Sequence, residues 1–328
     1  MTKILTPSNM MFLSTLTIST IMMMTSSNWI ILWLSMEVNM MSFIPLMLMS
    51  SKNQELEGAI KYFLIQTVGS ISMLLAVFMY NSLPLNNLST MLMMASMMIK
   101  MGVAPFHIWL PQVMNNMKWI ICLIIITWQK LGPMVITSYI LTDWSLQILI
   151  MLAIMNGMIG ALGGINQTQM RPLIAYSSIA HMGWMMSAMI LSSTLMLMYF
   201  SFYIIISVMT VLPLMKEEKQ NTSNFNLSNQ VFSKMKMTLG LNLLSMGGMP
   251  PFIGFIPKWA VISALILYSP FLVVSLMMTS LLSLFFYLKV TMSNFINTNK
   301  SMETKIKMKT LTPMISQMIL PFWFIVIT

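Results

Sequence analysis

The chain has 328 residues, of which 57% are hydrophobic and 7% charged. Soluble domains carry about 25% charged residues, so a water-facing surface is excluded over most of this chain and lipid must solvate it. A net charge of +10 then leaves two origins, a nucleic-acid face or the loops of a membrane protein.

Cut at charges and turn residues, the hydrophobic runs fall at 4–24, 29–49, 58–80, 85–112, 119–141, 145–165, 172–191, 194–214, 237–268, 270–291 and 311–327. Spanning the hydrocarbon takes roughly 20 apolar residues, so these are candidate membrane spans. The first follows Met1 to Lys3 without a cleavable signal pattern and is expected to stay in the mature protein. In the fourth run Gly102 and Pro105 follow Lys100, and the ninth holds Gly247-Gly248-Met249-Pro250-Pro251 and then Gly254. Proline removes a helix hydrogen bond and clashes with the preceding turn. Irregular backbone at membrane depth is tolerated only inside protein or beside a polar cavity. Both runs therefore predict discontinuous helices. The polar stretch 215–236, with Lys216-Glu217-Glu218-Lys219, reads as a loop or surface helix. The expected fold class is an all-α polytopic membrane protein with about 11 transmembrane helices, two of them discontinuous.

Threading the runs from side A places Lys3, Lys52, Lys118, Arg171, Lys216, Lys219, Lys234, Lys236, Lys300, Lys305, Lys307 and Lys309 on that side. Side B receives no lysine or arginine, only Asp143. The positive-inside rule puts side A, and with it the N-terminus, in the cytoplasm or the mitochondrial matrix. The positive charge is therefore topological, and no nucleic-acid partner is expected. The two broken runs lie five spans apart, so they cross in opposite directions. Residues 1–141 (spans 1–5) and 145–291 (spans 6–10) are expected to be inverted repeats of five helices within a single membrane domain, 1–328, with 311–327 as an extra C-terminal span.

Inside the runs remain Glu37, Lys61, Lys100, Lys130, Lys258 and Lys289, with His107 and His181. A charge at the bilayer centre costs roughly 2.5–3.5 kcal/mol on insertion scales, so such a set points to function. Counted from the segment ends, Glu37, Lys100, Lys130 and His181 lie deep and predict a lateral row of ionisable groups near the midplane. A lysine withdrawn from water can be held charged or neutral, and a nearby carboxylate favours the charge. Glu37 is the only acid in the row and matches Lys100 in depth. Lys61 and Lys289 lie near side A, where snorkelling to the interface is the competing role. His181 can equally be a packing residue with Ser177 one turn away, and His107, past the break, reads as structural. The single cysteine, Cys122, excludes a disulfide framework, a cysteine zinc site and an iron–sulfur cluster. No glycine-rich dinucleotide fingerprint follows a strand, and two histidines on separate spans are a poor metal set, so no redox centre, cofactor or metal is expected in this chain.

Five stretches carry a family resemblance. Lys100-Met-Gly-Val-Ala-Pro-Phe-His-Ile-Trp-Leu-Pro-Gln-Val113 and Gly247-Gly-Met-Pro-Pro-Phe-Ile-Gly-Phe-Ile-Pro-Lys-Trp259 resemble the two broken helices of the antiporter-like membrane subunits of respiratory complex I. Trp128-Gln-Lys-Leu-Gly-Pro133, Asn166-Gln-Thr-Gln-Met-Arg-Pro172 and Ala175-Tyr-Ser-Ser-Ile-Ala-His-Met-Gly183 are similar to family segments in the expected order. The match runs from about residue 30 to 290. It implies the antiporter-like fold in the mitochondrial inner membrane. It also implies a proton relay in which Glu37 matches the membrane glutamate, Lys61 and Lys100 the following lysines, Lys130 the central lysine and Lys258 the terminal one, with His181 in a shared motif. NADH, FMN, iron–sulfur clusters and ubiquinone would belong to partner subunits, and the partners would be neighbouring antiporter-like chains and phospholipids. Longer family members carry additional N-terminal helices, so a chain beginning close to Glu37 is expected to match the short animal type. The 45 methionines are read either as generic apolar helix formers or as a mark of the same origin, since animal mitochondrial codes use an extra methionine codon. Two other readings compete: a stand-alone secondary antiporter, active in isolation, and a structural membrane-arm spacer, against which the buried charges argue.

Overall fold

Thirteen α-helices and no strand make up the regular structure of the described residues, 7–48, 53–82, 86–223 and 229–299, in a computed structural model. They are α1 (Pro7–Thr25), α2 (Trp29–Met47), α3 (Asn53–Ser82), α4 (Asn86–Met101), α5 (Trp109–Asn116), α6 (Trp119–Ile126), α7 (Trp128–Tyr139), α8 (Asp143–Ile165), α9 (Met170–Leu191), α10 (Ser193–Ser223), α11 (Asn229–Gly247), α12 (Phe255–Leu265) and α13 (Pro270–Asn299). Ten of the predicted runs coincide with helices, the fourth as α4 and α5, the fifth as α6 and α7, and the ninth as α11 and α12. The eleventh, 311–327, lies outside the described residues, as do Lys3, Lys52, Lys300, Lys305, Lys307 and Lys309. The polar stretch is helical up to Ser223 and again from Asn229.

Seven helices are long and apolar enough to cross a membrane among the described residues: Trp29–Met47, Asn53–Tyr80, Trp119–Tyr139, Trp144–Ile165, Met170–Leu191, Ser193–Met215 and Pro270–Met292. Helix α1 has the length of a span but is diluted by hydroxyl residues. Ser14, Thr15, Thr17, Ser19, Thr20 and Thr25 each donate to a carbonyl three or four residues back, so the helix satisfies them itself. Short polar caps mark the turns. Asn28 accepts from the Ile30 amide at the start of α2, and Ser192 accepts from the Leu195 amide at the start of α10.

The chain falls into two compact units, residues 1–152 with 169–175, and residues 153–168 with 176–328. In the first unit α3 packs on α2, α4 and α5, while α7 packs on α1, α4 and α6. One end of this unit is fixed by Glu55 facing Lys118 at 3.8 Å, and by Arg171, which donates to the Asn115 carbonyl and lies 5.4 Å over the Trp119 ring. In the second unit α11 packs on α10 and α13, and α12 on α10 and α13. There the C-terminal part of α8 meets α9 and α13 through glycines. Gly183 faces Ala153 and Gly157, Gly160 faces Ala180, Gly157 faces Thr279 and Gly164 faces Phe286. Rising numbers on α8 pair with falling numbers on α9 and rising numbers on α13. Helix α9 is thus antiparallel to α8 and α13 parallel to it, which is the alternation that the threading of the runs requires.

Both predicted breaks are present and share one geometry. Gly102 and Gly248 have φ of +67° and +80°, in the left-handed region that favours glycine. The Gly102 and Val103 amides donate to the Ile99 and Met98 carbonyls, and the Gly248 and Met249 amides to those of Ser245 and Leu244. Each is the closing hydrogen-bond pair of a Schellman-type helix end. A proline and a phenylalanine follow at the same distance in both, Pro105-Phe106 and Pro251-Phe252. The span formed by α6 and α7 has an interruption that the runs did not predict, at Thr127 (φ −112°, ψ −74°).

Candidate functional site

A broken helix leaves carbonyls that lipid cannot satisfy, and side chains meet them here. In the first unit the Trp109 indole donates to the Ile99 carbonyl at 3.1 Å, and the Gln66 amide to the Lys100 carbonyl at 3.2 Å. Trp109 is held by edge contact with Tyr62, which packs in turn on Phe43. The break therefore presents Lys100, 7% exposed, to a cavity of about 20 Å³. Asn39, Tyr62, Gln66, Trp128 and Gln129 share its lining. The Trp128 indole nitrogen and the Gln129 amide nitrogen are buried there without a protein acceptor. The volume suits a single water, which needs about 10–15 Å³ and two to four polar partners. Glu37, partly buried on α2, acts electrostatically on Lys100.

Lys130 is 2% exposed and sits on α7 between the Thr127 interruption and Pro133. The Thr127 hydroxyl donates to the Leu123 carbonyl at 2.7 Å, a back-bond that competes with regular helix geometry. Lys61 does not join this cavity. It pairs with Glu57 one turn earlier at 2.6 Å, with the two side chains 40% and 57% exposed. The inward positions of α3 are taken by Tyr62 and Gln66.

In the second unit Lys258, 6% exposed, donates to the Gly247 carbonyl at 2.7 Å and so ties α12 to the end of α11. Its ammonium also lies 5.9 Å from the centre of the Trp184 ring. Lys258 and His181 line one cavity of about 10 Å³ with Trp184, Thr279, Ser283 and Tyr287. His181 pairs through Nδ1 with the Tyr199 hydroxyl at 2.9 Å, where the sequence offered Ser177 one turn away. Gly254 is required at the break, because a Cβ there would run into the Ser245 carbonyl. Pro105, Pro250 and Pro251 are exposed at the breaks themselves, and His107 is bonded beside Pro105. Lys289 is placed on α13. Among the described residues no group of three or more His, Cys, Asp or Glu is placed to hold a metal.

Sequence reasoning missed Asn39, Tyr62, Gln66, Gln129, Trp184 and the tyrosines of the second unit. All are neutral, and a search for buried charge passes over them. The signal was the spacing on α3, where Tyr62 and Gln66 lie one turn apart on one face.

The profile of the family described as "NADH:quinone oxidoreductase/Mrp antiporter, TM" matches residues 26–283. NADH-ubiquinone oxidoreductase chain 2 of Lumbricus terrestris is 39% identical over 298 residues, covering 90% of this chain and 89% of that one. The chain belongs to the chain 2 branch of this family. Chain 2 of Locusta migratoria is 38% identical, over 92% of this chain and 90% of its own length. A chain in the structure described as "Respiratory complex I from Thermus thermophilus with bound Aureothin" superposes with a TM-score of 0.75 at 20% identity, over 86% of this chain and 69% of that one. That likeness shows a shared fold over most of this chain.

Proposed function

We propose that this chain moves protons across the mitochondrial inner membrane as a membrane-arm subunit of NADH:ubiquinone oxidoreductase, along a relay built from Glu37, Lys61, Lys100, Lys130, His181 and Lys258. The observation that carries the reading is that Lys100, Lys130 and Lys258 are each under one-tenth exposed and each sit at a helix interruption. Burying an ammonium group is costly, and placing it where the backbone ladder is already open supplies carbonyls and polar cavities that can accommodate either charge state. In the first half, 1–141, Glu37 biases Lys100, and Lys130 takes the proton on. In the second half, 145–291, Lys258 and His181 receive it. NADH, FMN, iron–sulfur clusters and ubiquinone belong in this reading to partner subunits. The immediate partners are neighbouring antiporter-like chains and phospholipids, and the N-terminus faces the matrix. The half-exposed Lys61 joins the relay where such a neighbour covers α3.

The test is Lys130→Ala in the assembled complex reconstituted into liposomes. Fewer protons moved per NADH, with the complex still assembled, is the expected result. An unchanged ratio and rate would count against the relay. Assembly itself is checked on a native gel, where the chain should co-migrate with NADH dehydrogenase activity. A second reading follows from the family's own description, which includes Mrp antiporters. Cation/proton exchange by the purified chain alone in liposomes would favour it.

A further inference from the structure

Three tyrosines in the second unit, Tyr199, Tyr203 and Tyr287, are each 1% exposed, and the relay does not use them. They stand against one helix, α9. Ser177 lies beside the Tyr287 hydroxyl and Ser178 beside that of Tyr203, while His181 bonds Tyr199. The His181 ring also lies 5.2 Å from that of Tyr203. Depth orders these rungs. The end where α9 meets α10 is also the end where α12 meets α13, because α9 runs antiparallel to α13. At 1.5 Å per residue, Tyr287 and Ser177 lie roughly 20–25 Å below that end. By the same count His181 and Tyr203 lie roughly 15 Å below it, and Tyr199 roughly 9 Å. The ladder thus runs along the membrane normal, past the cavity that His181 and Tyr287 share with Lys258.

We propose that this ladder is a proton path leading from the Lys258 cavity through His181 and Tyr199 towards the end of the unit where α9 meets α10. The inference rests on the relay reading, since it takes its proton from Lys258. An imidazole accepts a proton on one ring nitrogen and releases one from the other. A phenol oxygen accepts a proton as its own O–H proton leaves. Each group therefore returns to its starting composition, and the net change is one proton moved. Packing alone would be served by phenylalanine, whereas the hydroxyl of Tyr199 is placed 2.9 Å from a histidine nitrogen inside an apolar unit.

Tyr199→Phe keeps the ring and removes the hydroxyl. It is measured beside Lys258→Ala in the intact complex in liposomes, reading protons moved per NADH oxidised. A lower ratio in both variants, with the complexes assembled, is the expected outcome. A normal ratio in Tyr199→Phe with a lowered one in Lys258→Ala overturns the ladder and leaves the relay standing; a Tyr199 that only braces His181 gives that result, together with lower thermal stability. Normal ratios in both overturn the relay as well. If the Tyr199→Phe complex does not assemble, Tyr199→Gln, which keeps a hydrogen-bond partner for His181 but no hydroxyl to exchange a proton, carries the same expectation and the same contrary result.

Discussion

Lys258 and Gly248 are a matched pair. The positive φ of Gly248 costs a residue with a Cβ about 1–2 kcal/mol. A Cβ there would also lie 2.8 Å from Lys258 Cδ and 2.9 Å from Nζ, so the lysine would leave the Gly247 carbonyl. Gly248→Ala is therefore expected to lower both the melting temperature of the complex and its protons per NADH. Gly247→Ala is the control, because its Cβ would meet Tyr287 no closer than 3.4 Å, an ordinary contact. Equal effects of the two substitutions on melting and pumping would refute the pairing. At this scale the charged residues were legible in the sequence and their partners were not. Lys258 stands out as a lysine in an apolar run. Its acceptor, a backbone carbonyl, has no signature in the residue letters. Lys61 shows the converse: its motif position is recognisable, while its pairing with Glu57 follows from the four-residue spacing that the resemblance passes over.

The helices divide by what interrupts them. Glycine and proline announced the breaks after α4 and α11, because their backbone preferences are intrinsic. The break between α6 and α7 was silent, because Thr127 has no such preference; its hydroxyl bonds the Leu123 carbonyl at the break. Thr127→Ala removes that bond, at a cost of about 0.5–1.5 kcal/mol, and is expected to draw α6 and α7 towards one continuous helix. Lys130, three residues on, would shift with it. A fall in protons per NADH with little loss of assembly is the expected reading, and pumping at the normal ratio would show that the interruption is incidental. Close helix contact makes a different demand. At Gly160 a Cβ would approach the Ala180 backbone nitrogen to 2.5 Å. Backbone cannot rotate aside as a side chain can, so Gly160→Ala is expected to cost about 1–3 kcal/mol, read as a lower melting temperature of the solubilised complex. Melting unchanged from the parent would mean that α8 and α9 can part freely.

At the scale of the whole molecule the charges predict a sidedness, because membrane insertion sorts lysine and arginine by side whatever the helices do next, and the α8, α9 and α13 pairings agree with the alternation it assumes. The second unit offers a direct test. Helix α8 runs parallel to α13, so the turn after α8 and the turn before α13 must face opposite sides. Arg171 follows the first turn, which the positive-inside rule predicts to face the matrix. Between α12 and α13 the most exposed residue is Leu267, at 92%, and Thr168 is exposed in the turn after α8. The natural cysteine, Cys122, is fully buried and bonded to the Met114 carbonyl, so it leaves the background low. A membrane-impermeant maleimide added to mitochondria stripped of the outer membrane is expected to label Leu267→Cys at once. Thr168→Cys should react only after the inner membrane is opened. The reverse pattern would invert the molecule, putting its basic loops outside and pointing the proposed tyrosine ladder into the matrix. Labelling of both from one side would break the parallel pairing of α8 and α13 on which the ladder's direction depends.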